Sequence, residues 1–242
     1  MLSIITICKN ELFIESTCQS VLEQTCQDFE WIVVDGGSTD GTLDILQKYR
    51  HRINKLISEP DEGVYPAMNK GIACAKGKYL QFLNGGDMLY EPQTIARVLP
   101  YLKKGEADVF YGDSYRLFDK AEDCFIKTYP DKLLKRFFLD NTLAHQSSFI
   151  KRELFARFDL YREDFKIVSD KEKWLCFMDN GVKFEHLPFV CSCFRMNGIS
   201  RLPTERLKQE KIAMLEQYFD KNMLRTSDLP YLQAIFGKDK RK

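Results

Sequence analysis

The stretch Ser58–Asp87, SEPDEGVYPAMNKGIACAKGKYLQFLNGGD, constrains this chain more than any other. Its order of residue types predicts a polar turn, a short helix opening at Pro66, a turn at Gly77, a buried strand over Lys78–Leu83, and two glycines and an aspartate at the strand's exit. Proline suits a first helical position, where its missing N–H would have had no partner. In α/β sheets, ligands sit outside the carboxyl ends of the strands. Gly-Gly-Asp at such an end gives close access to backbone and one exposed carboxylate. That is the profile of a phosphate-and-metal site.

The flanking sequence repeats the strand–helix unit. Leu2–Cys8 is a continuous apolar run rich in β-branched residues, and Glu11–Leu22 follows with a loosely helical pattern. Phe29–Val34 reads as a strand ending in Asp35-Gly-Gly-Ser-Thr-Asp-Gly, then a helix over Thr42–Tyr49 that Thr39 or Asp40 can cap, then a strand over Ile53–Ile57. This alternation predicts a mostly parallel sheet with right-handed crossovers. A helix over Pro92–Leu102 and a strand over Ala107–Tyr111, ending at Gly112-Asp113, close the first part. Beyond it the order changes. Tyr115–Phe118 and Cys124–Tyr129 read as an antiparallel hairpin, Lys132–Leu139 as a basic, aromatic amphipathic helix, Gln146–Ile150 as a strand, and Lys151–Phe158 and Ser169–Asn180 as helices. Val190–Phe194 is a predicted strand, Thr204–Phe219 and Leu229–Phe236 are predicted terminal helices, and Lys238–Lys242 is a charged tail expected to fray. The fold class expected is α/β, in a single domain of 242 residues.

Charge and cysteine usage narrow the function. A formal net charge of +1, with no basic stripe interleaved with aromatics, disfavours nucleic acid. The one close cysteine pair, Cys191 and Cys193, has no second pair to complete a zinc site. The eight cysteines fall mostly within apolar patterns, as buried reduced thiols do, which points to the cytoplasm. The N-terminal apolar run is too short for a signal peptide, and no window approaches the ~20 apolar residues of a membrane span.

Three aspartates, Asp35, Asp87 and Asp113, lie at predicted strand exits on one edge of the sheet. Each would serve equally as a cap or turn former. Asp35-Gly-Gly is not a dinucleotide fingerprint, so hydride transfer is disfavoured. A carboxylate can instead accept the imide N–H of a uracil base, while a second holds a divalent cation on a diphosphate.

SIITICKNE, WIVVDGGSTDGT, SEPDEGVYPAMNKGI and GKYLQFLNGGD, in this order over roughly the first ninety residues, resemble the family 2 glycosyltransferases, nucleotide-sugar enzymes of the GT-A fold. Within that family the chain is most similar to bacterial enzymes that assemble surface polysaccharides. The resemblance implies a Rossmann-like central sheet flanked by helices, with a nucleotide-binding half over 1–113, an acceptor-binding half over 114–202 and a helical extension over 203–242. It places Asp35 on the uracil, Thr6 to Asn10 (Thr6, Lys9 and Asn10 among them) along the base and ribose, and Asp87 on Mn²⁺ or Mg²⁺. It also makes Asp170 the catalytic base and sets His145, Gln146 and Arg195 beside the acceptor and departing diphosphate. Asn84, Gly85 and Gly86 line the nucleotide, with Asp61 and Lys70 as further candidates for base and diphosphate.

Some positions depart from the family pattern. Asn84-Gly-Gly-Asp stands where many relatives carry several acids, Lys9 replaces an aromatic that stacks on the base, and Ile7 and Pro66 replace a common Pro and Asp. The activity implied is an inverting, metal-dependent transfer from a nucleotide-sugar, UDP-linked by this reading, to a hydroxyl of a saccharide or lipid-linked saccharide. The basic residues beside Phe137 and Phe138 would suit an enzyme meeting a lipid-linked acceptor at the inner face of a membrane. The alternatives are a nucleotidyltransferase, which would be expected to carry a glycine-rich basic loop after the first strand, and a nucleotide-sugar-binding subunit without catalysis. The sequence leaves the oligomeric state open.

Overall fold

A computed structural model describes residues 1–196, 204–226 and 229–236. The first half alternates as expected: β1 (Leu2–Cys8), α1 (Ile14–Leu22), β2 (Phe29–Asp35), α2 (Thr42–Lys48), β3 (Lys55–Ser58), α3 (Val64–Cys74), β4 (Tyr79–Phe82), β5 (Met88–Leu89) and α4 (Thr94–Lys104). The second half contributes β6 (Val109–Leu117), β7 (Phe125–Lys127), β8 (Ser148–Lys151), α5 (Glu153–Arg157), α6 (Ser169–Asp179), β9 (Phe184–Arg195), α7 (Glu205–Tyr218), α8 (Lys221–Thr226) and α9 (Pro230–Phe236). One nine-stranded sheet runs β3-β2-β1-β4-β8-β6-β9-β5, with β7 added to β6. The four strands β3, β2, β1 and β4 are parallel, β8 is antiparallel to both its neighbours, and β6 and β9 are again parallel.

Two apolar layers cover the sheet, as the period of two dictates. Ile5, Ile7, Ile32, Val34 and Phe82 face Met68 and Ile72 of α3 and the aromatic cluster around Trp174 and Phe177 of α6. Leu2, Ile4, Trp31 and Val33 face Ile14, Cys18 and Val21 of α1 and Ile95 and Val98 of α4. Both faces of the central strands are therefore dry, which is why they read as unbroken apolar runs.

Register carries the Gly-Gly-Asp turn to the active edge. β1, β2 and β3 end level, with Cys8 beside Asp35 and Asp35 beside Ser58. The chain leaving β4 stays on β1 a little longer, Leu83 N–H donating to Ile5 O and Gly85 N–H to Ile7 O, so Asn84–Asp87 emerges next to Cys8. A tight turn, Asp87 N–H to Asn84 O at 3.0 Å, with Gly86 at φ +88°, then folds Asp87 back under the sheet's edge.

Several expectations are corrected. The helix placed at Pro66 opens at Val64, making Pro66 its third residue; N–H groups throughout a first turn lack intrahelical partners, so proline is tolerated there too. Asp113 is not at a strand exit: β6 runs through it to Leu117, and its carboxylate accepts from Tyr129 N–H and faces His186 Nε2, each at 3.0 Å. Gly112-Asp113 looks like a terminator because β9 bulges against it; a Cβ at Gly112 would lie 2.3 Å from Cys191 Sγ. The amphipathic helix expected over Lys132–Leu139 is a short 3₁₀ turn, Lys135–Leu139, with Phe138 buried and Lys135 paired to Asp179. The tail over 238–242 lies outside the described residues. No helix among the described residues is long and apolar enough to cross a membrane.

Gly71 shows how closely α3 lies on β1, since a Cβ there would come within 2.4 Å of Ile5 Cγ2. Overpacking of this kind costs ~1–3 kcal/mol, against ~1 kcal/mol gained from replacing glycine in a helix. Gly71→Ala should therefore be net destabilising, by up to about 2 kcal/mol, in urea-unfolding measurements; a variant more stable than wild type would refute the close approach.

Candidate active site

A hollow of about 250 Å³ opens at the carboxyl edge, and Asn84, Asp87, His145, Gln146, Asp170 and Arg195 all line it. Four segments reach it, one of them the end of β9 at Arg195. Asn84 and Asp87 arrive on the β4 exit, His145 and Gln146 on a 3₁₀ turn (His145–Ser147) that leads into β8, and Asp170 on the first turn of α6. Residues from positions 84 to 195 thus share one wall system.

Asp87 is 4% exposed; Gln146 Nε2 donates to one of its oxygens at 2.8 Å and Arg195 N–H to the other at 3.0 Å. Burial outweighs these donors and pushes its carboxyl up to about 6. Asp170 goes the other way. Burial opposes its charge, but His145, the Lys171 backbone and the Tyr65 hydroxyl together hold it below the usual carboxylate range. Tyr65 O–H donates to Asp170 Oδ1 at 3.0 Å, and His145 Nδ1 lies 3.5 Å from Oδ2. Asn84 Nδ2 sits 3.2 Å from His145 Nε2. The tautomer that satisfies both contacts carries its proton on Nδ1, giving an ordered chain from Asn84 through His145 to Asp170. Asp170 keeps its side chain 18% exposed to the hollow.

A neighbouring hollow of about 620 Å³ shares Glu11, Val64, Asn84, Gly85 and Lys166 with the first and adds Lys9, Asp61 and Gly63. Asp61 closes over the β2 exit, where a Cβ on Gly36 would lie 2.7 Å from its Oδ2. Gly85 is equally crowded, its Cβ position falling 2.9 Å from Glu11 Cγ.

Other expected site residues are elsewhere. Asp35 lines neither hollow: it is fully buried and accepts from Gly37 N–H, Ser38 N–H and O–H, and Ser58 O–H. In this structure the Asp35 carboxylate organises the β2 exit and ties it to Ser58 at the end of β3. Thr6 is buried and accepts from Trp31 Nε1 at 3.0 Å, a core contact on the face the apolar pattern assigned to packing. Asn10, at φ +50°, laces the β1 and β2 exits, donating its N–H to Ser38 Oγ and accepting from Thr39 N–H. Lys70 pairs with Glu59 at 2.8 Å beside a separate hollow. Gly86 N–H donates to Thr17 Oγ1, so the turn itself is anchored. Residues 197–200 of the expected Arg195–Ser200 segment lie outside the described residues.

Glu11, Tyr65, Lys166 and Phe194 line the site without having been singled out. Tyr65 stood within the anchoring stretch, two residues after Gly63 at a helix start, and that position was the available signal. Nothing in the sequence pattern marked Lys166 or Phe194.

Hard oxygen donors suit Mg²⁺ or Mn²⁺. Asp87 offers a carboxylate here, and Asn84 Oδ1 is buried without a partner in the same hollow. No group of three or more His, Cys, Asp or Glu able to hold a metal ion occurs among the described residues. The residues present therefore fit a cation shared with ligand oxygens.

A hollow at the carboxyl edge of a mostly parallel sheet, lined by two carboxylates, is an α/β ligand-site arrangement. Comparison with known proteins is specific: residues 3–198 match the family described as Glycosyl transferase family 2. The chain is 35% identical over 210 residues to a PGL/p-HBAD biosynthesis glycosyltransferase of Mycobacterium bovis (strain BCG / Pasteur 1173P2), covering 82% of this chain and 78% of that one. It is 31% identical over 174 residues to the putative teichuronic acid biosynthesis glycosyltransferase TuaG of Bacillus subtilis (strain 168), covering 70% and 68%. S. aureus TarS 1-349, solved with UDP-GlcNAc, has the same fold at a TM-score of 0.73 and 17% identity, over 97% of this chain and 70% of that one. In a longer TarS structure the chain spans 42%. This chain belongs to glycosyl transferase family 2 and is a glycosyltransferase, with the GT-A-type fold the resemblance implied.

The opposed shifts of the two carboxylates give a pH test. An Asp raised to about 6 in the folded state, against ~3.9 unfolded, lets the folded state hold a proton the unfolded chain lacks, so its contribution improves as pH falls through that window. Thermal melts of ligand-free wild type and Asp87→Asn should therefore show wild type gaining on the variant by several degrees between about pH 7 and about pH 5. A pH-independent difference would mean that Asp87 is not a desolvated carboxylate.

Proposed function

We propose that this glycosyltransferase moves a sugar from a nucleotide-sugar, with UDP the favoured nucleotide, to a hydroxyl of a saccharide or lipid-linked saccharide, inverting the anomeric centre. One observation supports the reading: Asp87 and Asp170 line a single hollow and are held by the adjacent residues Gln146 and His145, an arrangement in which one carboxylate would serve a cation on the diphosphate while the other meets the incoming alcohol. The larger hollow beside it has room for a nucleoside, with Lys9, Asp61 and Glu62 at its rim. Asp61, which accepts from Gly63 N–H at 3.2 Å, lines that hollow and would face the base alongside the β2 exit that Asp35 organises.

Asp170 is held ionised at neutral pH by its three donors, ready to take the acceptor's proton as the new bond forms. The acceptor oxygen attacks the anomeric carbon from the Asp170 side. The acceptor O–H bond breaks to Asp170, the new glycosidic C–O bond forms, and the bond to the diphosphate breaks with its electron pair leaving on the nucleotide. A single displacement from the opposite face inverts configuration. Tyr65 and His145 keep Asp170 from rotating away, and Arg195, stacked 4.1 Å over Phe13, flanks the leaving group with an unpartnered Nε. Asp87 and Asn84 would hold a divalent cation, which when bound supplies positive charge against the departing diphosphate.

PGL/p-HBAD and teichuronic acid biosynthesis, named for two relatives, support a place in the assembly of cell-surface glycans. A cytoplasmic enzyme, at the membrane's inner face for a lipid-linked acceptor, fits this reading.

Asp170→Asn should lower transfer by ~10²–10⁴ while UDP affinity stays close to wild type. UDP- and GDP-sugars with and without Mn²⁺, followed by thermal shift, identify the donor independently of turnover. Removal of divalent ions with EDTA should abolish the UDP-dependent stabilisation in wild type. Near-normal turnover in Asp170→Asn would exclude it as the base. UDP binding without any release of UDP from a UDP-sugar would identify a binding subunit instead.

A further inference from the structure

Beside His145, Gln146 and Asp170 lies a further hollow of about 250 Å³, which shares no lining residue with the one formed by Lys9 and Asp61. It shares those three residues with the first, together with Ile167 and Phe194. Four cationic side chains line it: Arg116 from β6, Lys127 from β7, Lys171 from α6 and Lys211 from α7. They come from four elements spread over 96 positions, so the fold, and not a local charge run, assembles them.

None of the four forms a salt bridge among the described residues. Arg116 is 6% exposed; it donates to Tyr129 OH at 3.0 Å and stacks over Phe194 at 4.6 Å. Lys171 is 8% exposed, and among the described residues its Nζ hydrogen-bonds to the Leu139 carbonyl alone, at 3.5 Å. Lys127 donates to Asn141 Oδ1 at 3.3 Å. The acids facing the hollow are Asp140, which accepts from Asn141, and Asp170, which is already engaged by Tyr65 and His145.

Burying like charges together without a carboxylate partner is costly. The strain shows in the amines: burial first, and then the charge of Lys211, bring Lys171 down to about 8, and burial lowers Lys127 and Lys211 as well. Nothing in the packing requires cations at these positions. What relieves them is an anion. Four positive charges against the two carboxylates Asp140 and Asp170 leave an excess of two, which matches a phosphate dianion or a diphosphate, and either also presents enough oxygens for several donors.

We infer that this hollow is a phosphoryl subsite for the acceptor, so that the alcohol offered to Asp170 belongs to a molecule carrying a phosphate or diphosphate close to the accepting hydroxyl. The inference rests on the reading of Asp170 as the base that faces the acceptor. Two sources share the chemistry: the diphosphate of a lipid carrier, and a phosphate within the saccharide itself.

The test uses the full chain at constant ionic strength without divalent cations. Inorganic pyrophosphate is titrated by calorimetry against wild type, Lys127→Gln/Lys211→Gln, and Lys104→Gln on the far face as control. Pyrophosphate should bind wild type and the control alike and bind the double variant at least about tenfold more weakly, as expected for the loss of two charge-assisted contacts. Glucuronate, a monocarboxylate, should bind far more weakly than pyrophosphate.

The same titration is repeated with UDP and Mg²⁺ present at saturation. Retained pyrophosphate binding supports a subsite separate from the donor diphosphate; complete displacement by UDP overturns it, because the cations would then serve the donor. An unchanged affinity in the double variant overturns it too. Both lysines are half-buried at the hollow's rim, and a thermal melt of the variant checks its fold. Should that double variant fail to fold, Lys211→Gln alone is read in the same way. Geranyl diphosphate and N-acetylglucosamine 1-phosphate, compared in the same assay, assign the source by which binds tighter. UDP affinity is measured in its own arm: loss of UDP binding in wild type would refute the proposed donor site without touching the pyrophosphate result.

Discussion

The site depends on one buried carboxylate being worth keeping charged. Asp170 sits where burial alone would neutralise it, and three donors reverse the outcome. Those donors come from separate parts of the chain: Tyr65 from α3 in the first half, His145 from the turn before β8, and the Lys171 backbone from α6 itself. The electrostatic requirement of one residue therefore fixes the relative placement of the two halves. The single Tyr65 O–H is shared between Asp170 Oδ1 and Ile167 O, the latter at 2.8 Å, which draws in the segment just ahead of α6. Glu210 of α7 holds the same segment from the other side, accepting from Lys166 and Ile167 N–H at 2.9 and 2.8 Å.

Asp87 and Asp35 show the same physics with other endings. Asp87 is more deeply buried, two donors do not compensate its desolvation, and it stays poised to gain from a positive ligand. Asp35 accepts from more groups than either and spends that capacity on its own loop and on Ser58. One edge of the sheet thus holds an aspartate saturated by protein, one balanced by protein, and one left short. Paired carboxylates whose environments push their titration apart divide the labour of a site, and here the division falls between Asp170 and Asp87.

Much of this was legible before any coordinates. The central strands announced themselves because both faces are buried, and α6 because Trp174 and Phe177 repeat on one side of it. The exits bearing Asp35 and Asp87 were placed correctly along the chain. Direction is what a one-dimensional pattern withholds: it says where a strand ends but not which way a side chain turns after it. Asp35 and Thr6, which the resemblance assigns to the nucleotide, are fully buried here, with their oxygens engaged by the β2-exit loop and by Trp31. Asp113 was misplaced for a different reason, since Gly112 looks like punctuation until β9 is seen pressing on it. Lys135–Leu139 carried a helical charge pattern too short to hold a helix against the pull of Phe138 into the core.

Composition concealed the rest. A net charge of +1 is an average over the whole chain, and it is compatible with strong local segregation. Asp40, Asp164 and Asp108 satisfy themselves at the surface with hydroxyls, an arginine and a lysine, all near in space to where they begin. Arg116, Lys127, Lys171 and Lys211 do not. Each is isolated in sequence among uncharged or oppositely charged neighbours, so no window reveals them as a group. They become one only when β6, β7, α6 and α7 close around the base, and it is there, where charge is hardest to bury, that the fold concentrates it.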